Sequence, residues 1–124
     1  MISSKLIEVI TTLPDSACSI VTSAKGVAHV VNSWNSYIQI VDNKFLIPVG
    51  RMHKTEENLK ENSTLLLTVS NREVQGLSYK GTGFLVKGKG SFAYSGKEYD
   101  TVKSRYSWAR AALVIEPLSE EQTL

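Results

Sequence analysis

The sequence predicts a mainly β fold: a small, mostly antiparallel barrel carrying two to three peripheral helices. Six or seven short apolar segments, rich in Val, Ile, Leu and Thr, recur along the 124 residues and are separated by turn residues. The strand–helix–strand rhythm of a parallel sheet is absent. Gly83, Gly88 and Gly90 fall inside the longest segment, where a barrel strand must bend or bulge. A chain of this length is expected to form one domain, 1–124, that buries roughly two-thirds of its unfolded surface.

The elements follow in order. Ser3 or Ser4 can cap a first helix whose apolar positions Leu6, Ile7, Ile10 and Leu13 recur at helical spacing, and Pro14-Asp15-Ser16 ends it. Ala17 to Ser23 reads as a strand, turned by Lys25-Gly26 into a second, Val27 to Trp34. Tyr37 to Val41 is a third, turned by Asp42-Asn43 into a fourth, Lys44 to Val49. Thr55 to Asn62 reads as helix and Thr64 to Val69 as a buried strand. Gly81 to Tyr94 is the long strand. Gly96 to Tyr106 carries Tyr99, Val102 and Tyr106 on one helical stripe. Ala109 to Ile115 is a last strand that Pro117 is expected to stop, leaving Glu120-Glu121 in a solvated tail.

Composition narrows the function classes. A net charge of +2, with no run of Lys or Arg, does not favour nucleic acid. Cys18 is the single cysteine, which excludes an intrachain disulfide and a multi-cysteine metal site and suits a reducing cytoplasm. His29 and His53 lie far apart without a Cys or Asp cluster, so zinc is not expected. There is no signal-peptide core at the start and no run near the ~20 apolar residues of a membrane span. The expectation is a soluble, cytoplasmic protein.

Pro48-Val49-Gly50-Arg51-Met52-His53-Lys54-Thr55-Glu56 is the most telling stretch. A strand that feeds a helix start through glycine leaves N–H groups unpaired where the helix dipole favours an anion. Lys54 as a point charge, Thr55 as a hydroxyl and the fork of Arg51 would complete a seat for a phosphate monoester. The same residues also read as an ordinary turn in which Lys54 is solvated and Thr55 is only an N-cap. Asn58 stands where a capping box would place Glu.

Asn32-Ser33-Trp34-Asn35-Ser36-Tyr37 can stack a planar ligand on Trp34 or Tyr37 and match its polar edges with Asn32 and Asn35, or it can be a core tryptophan beside turn-forming amides. Trp108 precedes the last strand. Two tryptophans and a phosphate seat together point to a flat, phosphorylated, heteroaromatic ligand. Gly83 to Gly90 imitates a Walker A run, but Gly90 replaces its Ser/Thr. Gly81-Thr82-Gly83 lacks the third glycine of a dinucleotide fingerprint. Cys18 reads as a buried strand residue, and no nucleophile–base set or pair of carboxylates stands out.

Five blocks then carry a resemblance: Val31 to Tyr37, Pro48 to Glu56, Gly81-Thr82-Gly83-Phe84-Leu85, Trp108 to Ile115, and Glu121-Gln122-Thr123-Leu124. In the same order along the whole chain, they resemble the small FMN-binding proteins of sulfate-reducing bacteria. Those belong to the pyridoxamine 5'-phosphate oxidase-like, flavin reductase-like FMN-binding split barrels. The resemblance implies a six-stranded antiparallel split β-barrel, a homodimer, and one non-covalent FMN per subunit at the dimer interface. It implies that Lys54 and Thr55 hold the phosphate, within a site that also takes in Val49, Gly50, Arg51, Met52, Gly81 and Thr82. Asn32, Ser33, Trp34 and Asn35 would line the ribityl chain and ring, with Tyr37 and Trp108 near the isoalloxazine. Leu124 would come from the other subunit. Arg51 departs from the glycine the similar proteins have there. Asp15 falls where they have a glutamate close to the flavin, which implies a redox-tuning charge and a higher midpoint potential in Asp15→Asn.

FMN would carry the redox chemistry while the protein supplies orientation and electrostatics. An electron-transfer flavoprotein working with a redox partner protein is the leading expectation. A flavin reductase or a small-substrate FMN-dependent oxidase of the same fold is the alternative, and a store or sensor without turnover is a third.

Overall fold

In the computed structural model, which describes residues 2–124, Ser3 caps α1 (Ser4–Thr11) by accepting the Leu6 N–H on its hydroxyl at 3.2 Å. Leu6, Val9 and Ile10 form its buried stripe, whereas Ile7 and Leu13 face solvent. Ile7 sits about 100° round the helix from Leu6, and Leu13 lies past the last turn, which accounts for both departures from the expected stripe.

β1 (Ala17–Ala24) and β2 (Val27–Trp34) form a hairpin whose Lys25 and Gly26 both take positive φ. A 3-10 turn, Asn35–Tyr37, follows, so only Gln39–Val41 remains extended as β3. Asp42 and Asn43, both at positive φ, turn it into β4 (Lys44–Val49). Next come α2 (His53–Glu61), β5 (Thr64–Gln75), β6 (Lys80–Ala93), α3 (Lys97–Arg105) and β7 (Ala111–Gln122).

The strands lie in one sheet in the order β2-β1-β5-β6-β7-β4-β3, with antiparallel neighbours throughout. The described residues thus hold seven strands, not the six that the resemblance implied. All three residues of β3 pair with β4, and this short hairpin adds an edge strand. The sheet is open, with β2 and β3 at its edges.

Two further expectations are corrected. β7 runs through Pro117 and includes Glu120 and Glu121. Lys87 pairs with Ser119 and Gly88 with Pro117, so Leu118 is an extra residue in the ladder. The bulge accommodates a residue that cannot donate to a ladder. A Cβ on Gly88 would come within 2.9 Å of the Glu116 carbonyl, so only glycine fits opposite the irregularity. The Glu120 carboxylate is anchored as well, accepting the Ser3 N–H at 3.2 Å. β5 likewise outruns its expected end, because β6 continues to pair with it as far as Gln75.

The main core joins α1 to Ile20, Phe45, Ile47, Leu67, Val86, Leu113 and Ile115 on the sheet. A satellite cluster packs Val102 of α3 against Leu46, Ala109 and Ala112. Among the described residues, no helix is long and apolar enough to cross a membrane.

Candidate functional site

The stretch from Pro48 to Thr55 forms a turn that opens a helix. β4 buries its residues from Phe45 to Val49, and the chain then leaves the sheet at Gly50. Met52, at φ 55° and ψ 37°, is a left-handed N-cap that offers α2 no side-chain cap. Such a conformation is costly for a residue with a Cβ and tends to be held where a site needs it. The first helical bond runs from the Glu56 N–H to the Met52 carbonyl at 2.9 Å. The N–H groups of His53, Lys54 and Thr55 therefore precede the ladder, at the positive end of the helix dipole.

Thr55 is fully buried, and its Oγ1 has no hydrogen-bond partner among the described residues. It is not the N-cap, since α2 starts two residues earlier. A buried hydroxyl without a partner is uncommon and costs stability.

The turn borders a cavity of about 330 Å³, inside the usual range for small-molecule sites. β2 and the 3-10 turn supply Val31, Asn32, Ser33, Trp34 and Tyr37; the seat supplies Pro48, Gly50, Arg51 and Met52; Trp108 completes the lining. Trp34 and Trp108 are half exposed. Tyr37, Tyr106 and Trp108 form a three-ring cluster with centroids 5.0–5.7 Å apart. A Cβ on Gly50 would stand 3.4 Å from the Trp108 ring, so the turn and the indole lie in contact. Asn32 is held by bonds from its amide nitrogen to the Cys18 carbonyl at 3.1 Å and the Ser19 hydroxyl at 3.0 Å. Its amide oxygen makes no such bond and can meet a ligand.

The cations divide. Arg51 lines the cavity and takes part in no salt bridge among the described residues. Lys54 instead lies 3.4 Å from Glu57, in a separate hollow with His29. His53 leans toward Glu56 and Arg110. Arg110, which sequence reasoning passed over, clasps the seat from just before β7. Its guanidinium donates to the Gly50 carbonyl at 3.2 Å, to the Arg51 carbonyl and to both Glu56 oxygens. Arg110, with help from the Tyr94 hydroxyl, holds the Glu56 carboxyl below its ordinary range against a smaller effect of burial. A charged residue inside the apolar run Trp108 to Ile115 was the available signal.

A relative decides the family. Over 107 residues the chain is 45% identical to the FMN-binding protein of Nitratidesulfovibrio vulgaris (strain Miyazaki F), covering 86% of this chain and 87% of that one. This chain belongs to the FMN-binding protein family. No family model matches the chain. Solved structures with the same split-barrel fold include an FMN-binding protein from Syntrophomonas wolfei, with TM-score 0.72 and 18% identity over 97% of this chain and 84% of that one. HupZ from Group A Streptococcus is also similar, with TM-score 0.79 and 16% identity over 98% and 94%. So is a putative pyridoxamine 5'-phosphate oxidase from Lactobacillus delbrueckii, with TM-score 0.72 and 12% identity over 97% and 93%.

The residues expected to bind cofactor do not all meet within one chain. Asn32, Ser33, Trp34, Tyr37, Gly50, Arg51, Met52 and Trp108 share the cavity, while Val49 is buried in the main core and Thr55, also buried, does not line it. Asn35 turns into the core, where its amide nitrogen donates to the Ser70 carbonyl at 2.9 Å. Gly81, Thr82 and Leu124 line a second hollow, of about 710 Å³, with Arg72 and Tyr79. There the Thr82 hydroxyl donates to the Leu124 carbonyl at 2.8 Å. Cys18 is buried as expected, and burial pushes its thiol up to about 11.

Asp15 lies in a further hollow with Asn35 and Ser36. Its carboxylate accepts the Ser36 hydroxyl at 2.6 Å, the Ser36 N–H at 3.0 Å and the Ser16 N–H at 2.9 Å. Partial desolvation is the largest single influence and pushes its pKa up, but the three bonds together outweigh it and leave the pKa below the ordinary 3.8. A lowered folded pKa contributes stability above the unfolded value and loses it as pH falls through the folded value. Asp15→Asn is therefore expected to melt below the wild type at neutral pH, with the gap closing below about pH 4. Melts from pH 7 to pH 3 check this, and a gap that stays constant would show that the ionised form contributes nothing.

Proposed function

We propose that this chain binds FMN without a covalent bond, phosphate at the start of α2 and ring beside Trp34, Tyr37 and Trp108, and works as an electron-transfer flavoprotein. The observation that carries the reading is the buried, partnerless Thr55 hydroxyl at an uncapped helix start beside an aromatic-lined cavity. Kinship at 45% identity with a protein named for FMN binding supports the choice of flavin. Bound FMN would supply reversible electron transfer, one or two at a time.

The residues of the chain would bind and orient. N–H groups at the helix start and the Thr55 hydroxyl would meet the phosphate, with Arg51 as the nearer cation. Lys54 would join them by leaving Glu57, a swing that an exposed i,i+3 pair resists only weakly. Asn32 would offer its amide oxygen to the ribityl hydroxyls. Gly81, Thr82 and Leu124 lie in a different hollow of the same chain, flanked by exposed Leu77 and Tyr79, which supports a site shared by two copies. Asp15 would add a negative charge near the 3-10 turn, so the Asp15→Asn variant above should also raise the midpoint potential of bound FMN.

The test is titration of apoprotein with FMN and with riboflavin, followed by fluorescence quenching. Expected are a yellow complex of one FMN per chain and a clear preference for FMN over riboflavin. A colourless protein that takes up neither flavin would overturn the reading. Stoichiometric NADH or NADPH should then reduce the loaded protein slowly, and a cytochrome should oxidise it; fast reduction by either nucleotide would replace the carrier with a reductase.

A further inference from the structure

Arg110 holds a run of three carbonyls. Its backbone N–H donates to the Val49 carbonyl at 2.9 Å. Its guanidinium takes the Gly50 carbonyl from Nε and the Arg51 carbonyl from both Nε, at 3.1 Å, and Nη2. Two physical consequences follow. In a planar trans peptide, C=O and N–H point in opposite directions. Drawing the Gly50 and Arg51 carbonyls toward Arg110 therefore turns the N–H groups of Arg51 and Met52 away from it, and neither donates to any other described group. Those same residues line the cavity.

The second consequence concerns Thr55. A hydroxyl near the start of a helix ordinarily donates back to the carbonyl three or four residues earlier, here those of Met52 and Arg51. Arg110 already supplies two donors to the Arg51 oxygen, which has two lone pairs, and the Met52 carbonyl accepts the Glu56 N–H. With the Arg51 oxygen filled and the Met52 oxygen already engaged by the helix, the Thr55 hydroxyl stays without a partner. Glu56 and the face of the Phe92 ring keep the guanidinium in place, with two charge-assisted bonds on one side and a ring centroid 5.7 Å away on the other.

We infer that Arg110 is the positioning residue of the anion seat: it aims the Arg51 and Met52 N–H groups and keeps the Thr55 hydroxyl free for a phosphate. The inference rests on the reading of the seat given under the proposed function. Arg110→Lys is the informative change, since lysine keeps the charge and can still pair with Glu56 but lacks the fork that spans two carbonyls.

The readout is the ratio of FMN to riboflavin affinity, because riboflavin has the ring and ribityl chain without the phosphate. In Arg110→Lys the ratio is expected to fall about tenfold, with riboflavin affinity unchanged. Thr55→Val should then cost less in the Arg110→Lys background than in the wild type, since the hydroxyl has already turned back onto its helix. An unchanged ratio, equal weakening of both flavins, or strictly additive effects would overturn the inference. A wild type without a preference for FMN would instead remove the phosphate seat itself. Should Arg110→Lys fail to fold, the wild-type amide resonances decide: those of Arg51 and Met52 shift with FMN and not with riboflavin, and their indifference to FMN overturns the role.

Discussion

Thr55→Val is expected to weaken FMN binding by roughly ten- to a hundredfold, the worth of about 1.5–3 kcal/mol for a hydrogen bond to a charged group. Riboflavin binding should be unaffected. Valine matches threonine in shape but has no hydroxyl, so the packing of this fully buried position is retained. The apoprotein should therefore not suffer. An unpaired buried hydroxyl costs on the order of 1–3 kcal/mol in mutational series, so its removal should leave thermal stability unchanged or raise it. Affinity and stability moving in opposite directions is the signature of a polar group kept for a ligand. Flavin titration and apoprotein melts check both halves. Equal loss of affinity and stability would make Thr55 a structural residue.

The largest loss of stability should come from Phe45→Ala. Phe45 is completely buried in β4, paired with Ile40 on one side and Ile115 on the other. Truncating such a residue costs about 3–5 kcal/mol, transfer and cavity together. Against a total of about 5–15 kcal/mol, that is a large share. At about 3–5 °C per kcal/mol for a domain of this size, the melting temperature should fall by roughly 10–25 °C. β4 also delivers Pro48 and Gly50 to the seat, so FMN should raise the melting temperature of the variant as it does that of the wild type. At a hundred times its dissociation constant it would restore about 2.7 kcal/mol. A loss under about 1 kcal/mol in a chemical unfolding experiment would mean that the core closes over the gap.

Several parts of the site were legible before any fold was known, and the reasons are local. A glycine after an apolar strand and a hydroxyl a few residues on are written within a short run of chain, and the structure keeps Gly50, Arg51 and Met52 on one cavity while starting α2 at His53 rather than Thr55. Lys54 was read from the same spacing, yet its ammonium points to Glu57, because side-chain direction depends on the exact start of the helix. Asn35 looked like a ligand-facing amide and turned out to hold core carbonyls, since its strand gives way to a 3-10 turn. Arg110 was missed altogether: its partners Gly50, Arg51 and Glu56 lie 54 to 60 residues away.

The sequence by itself determined the local elements: the bounds of β2 and β4 and the hairpin turns at Lys25-Gly26 and Asp42-Asn43. These rest on backbone preferences and alternation over a few residues, which neighbours along the chain supply. Only the tertiary structure decided the order of the seven strands, the passage of β7 through Pro117, and the separation of Gly81, Thr82 and Leu124 from the aromatic cavity. It also brought Arg110 onto the seat. Those features depend on which strand pairs with which, and pairing energy comes from ladders and buried faces that no short window of sequence contains.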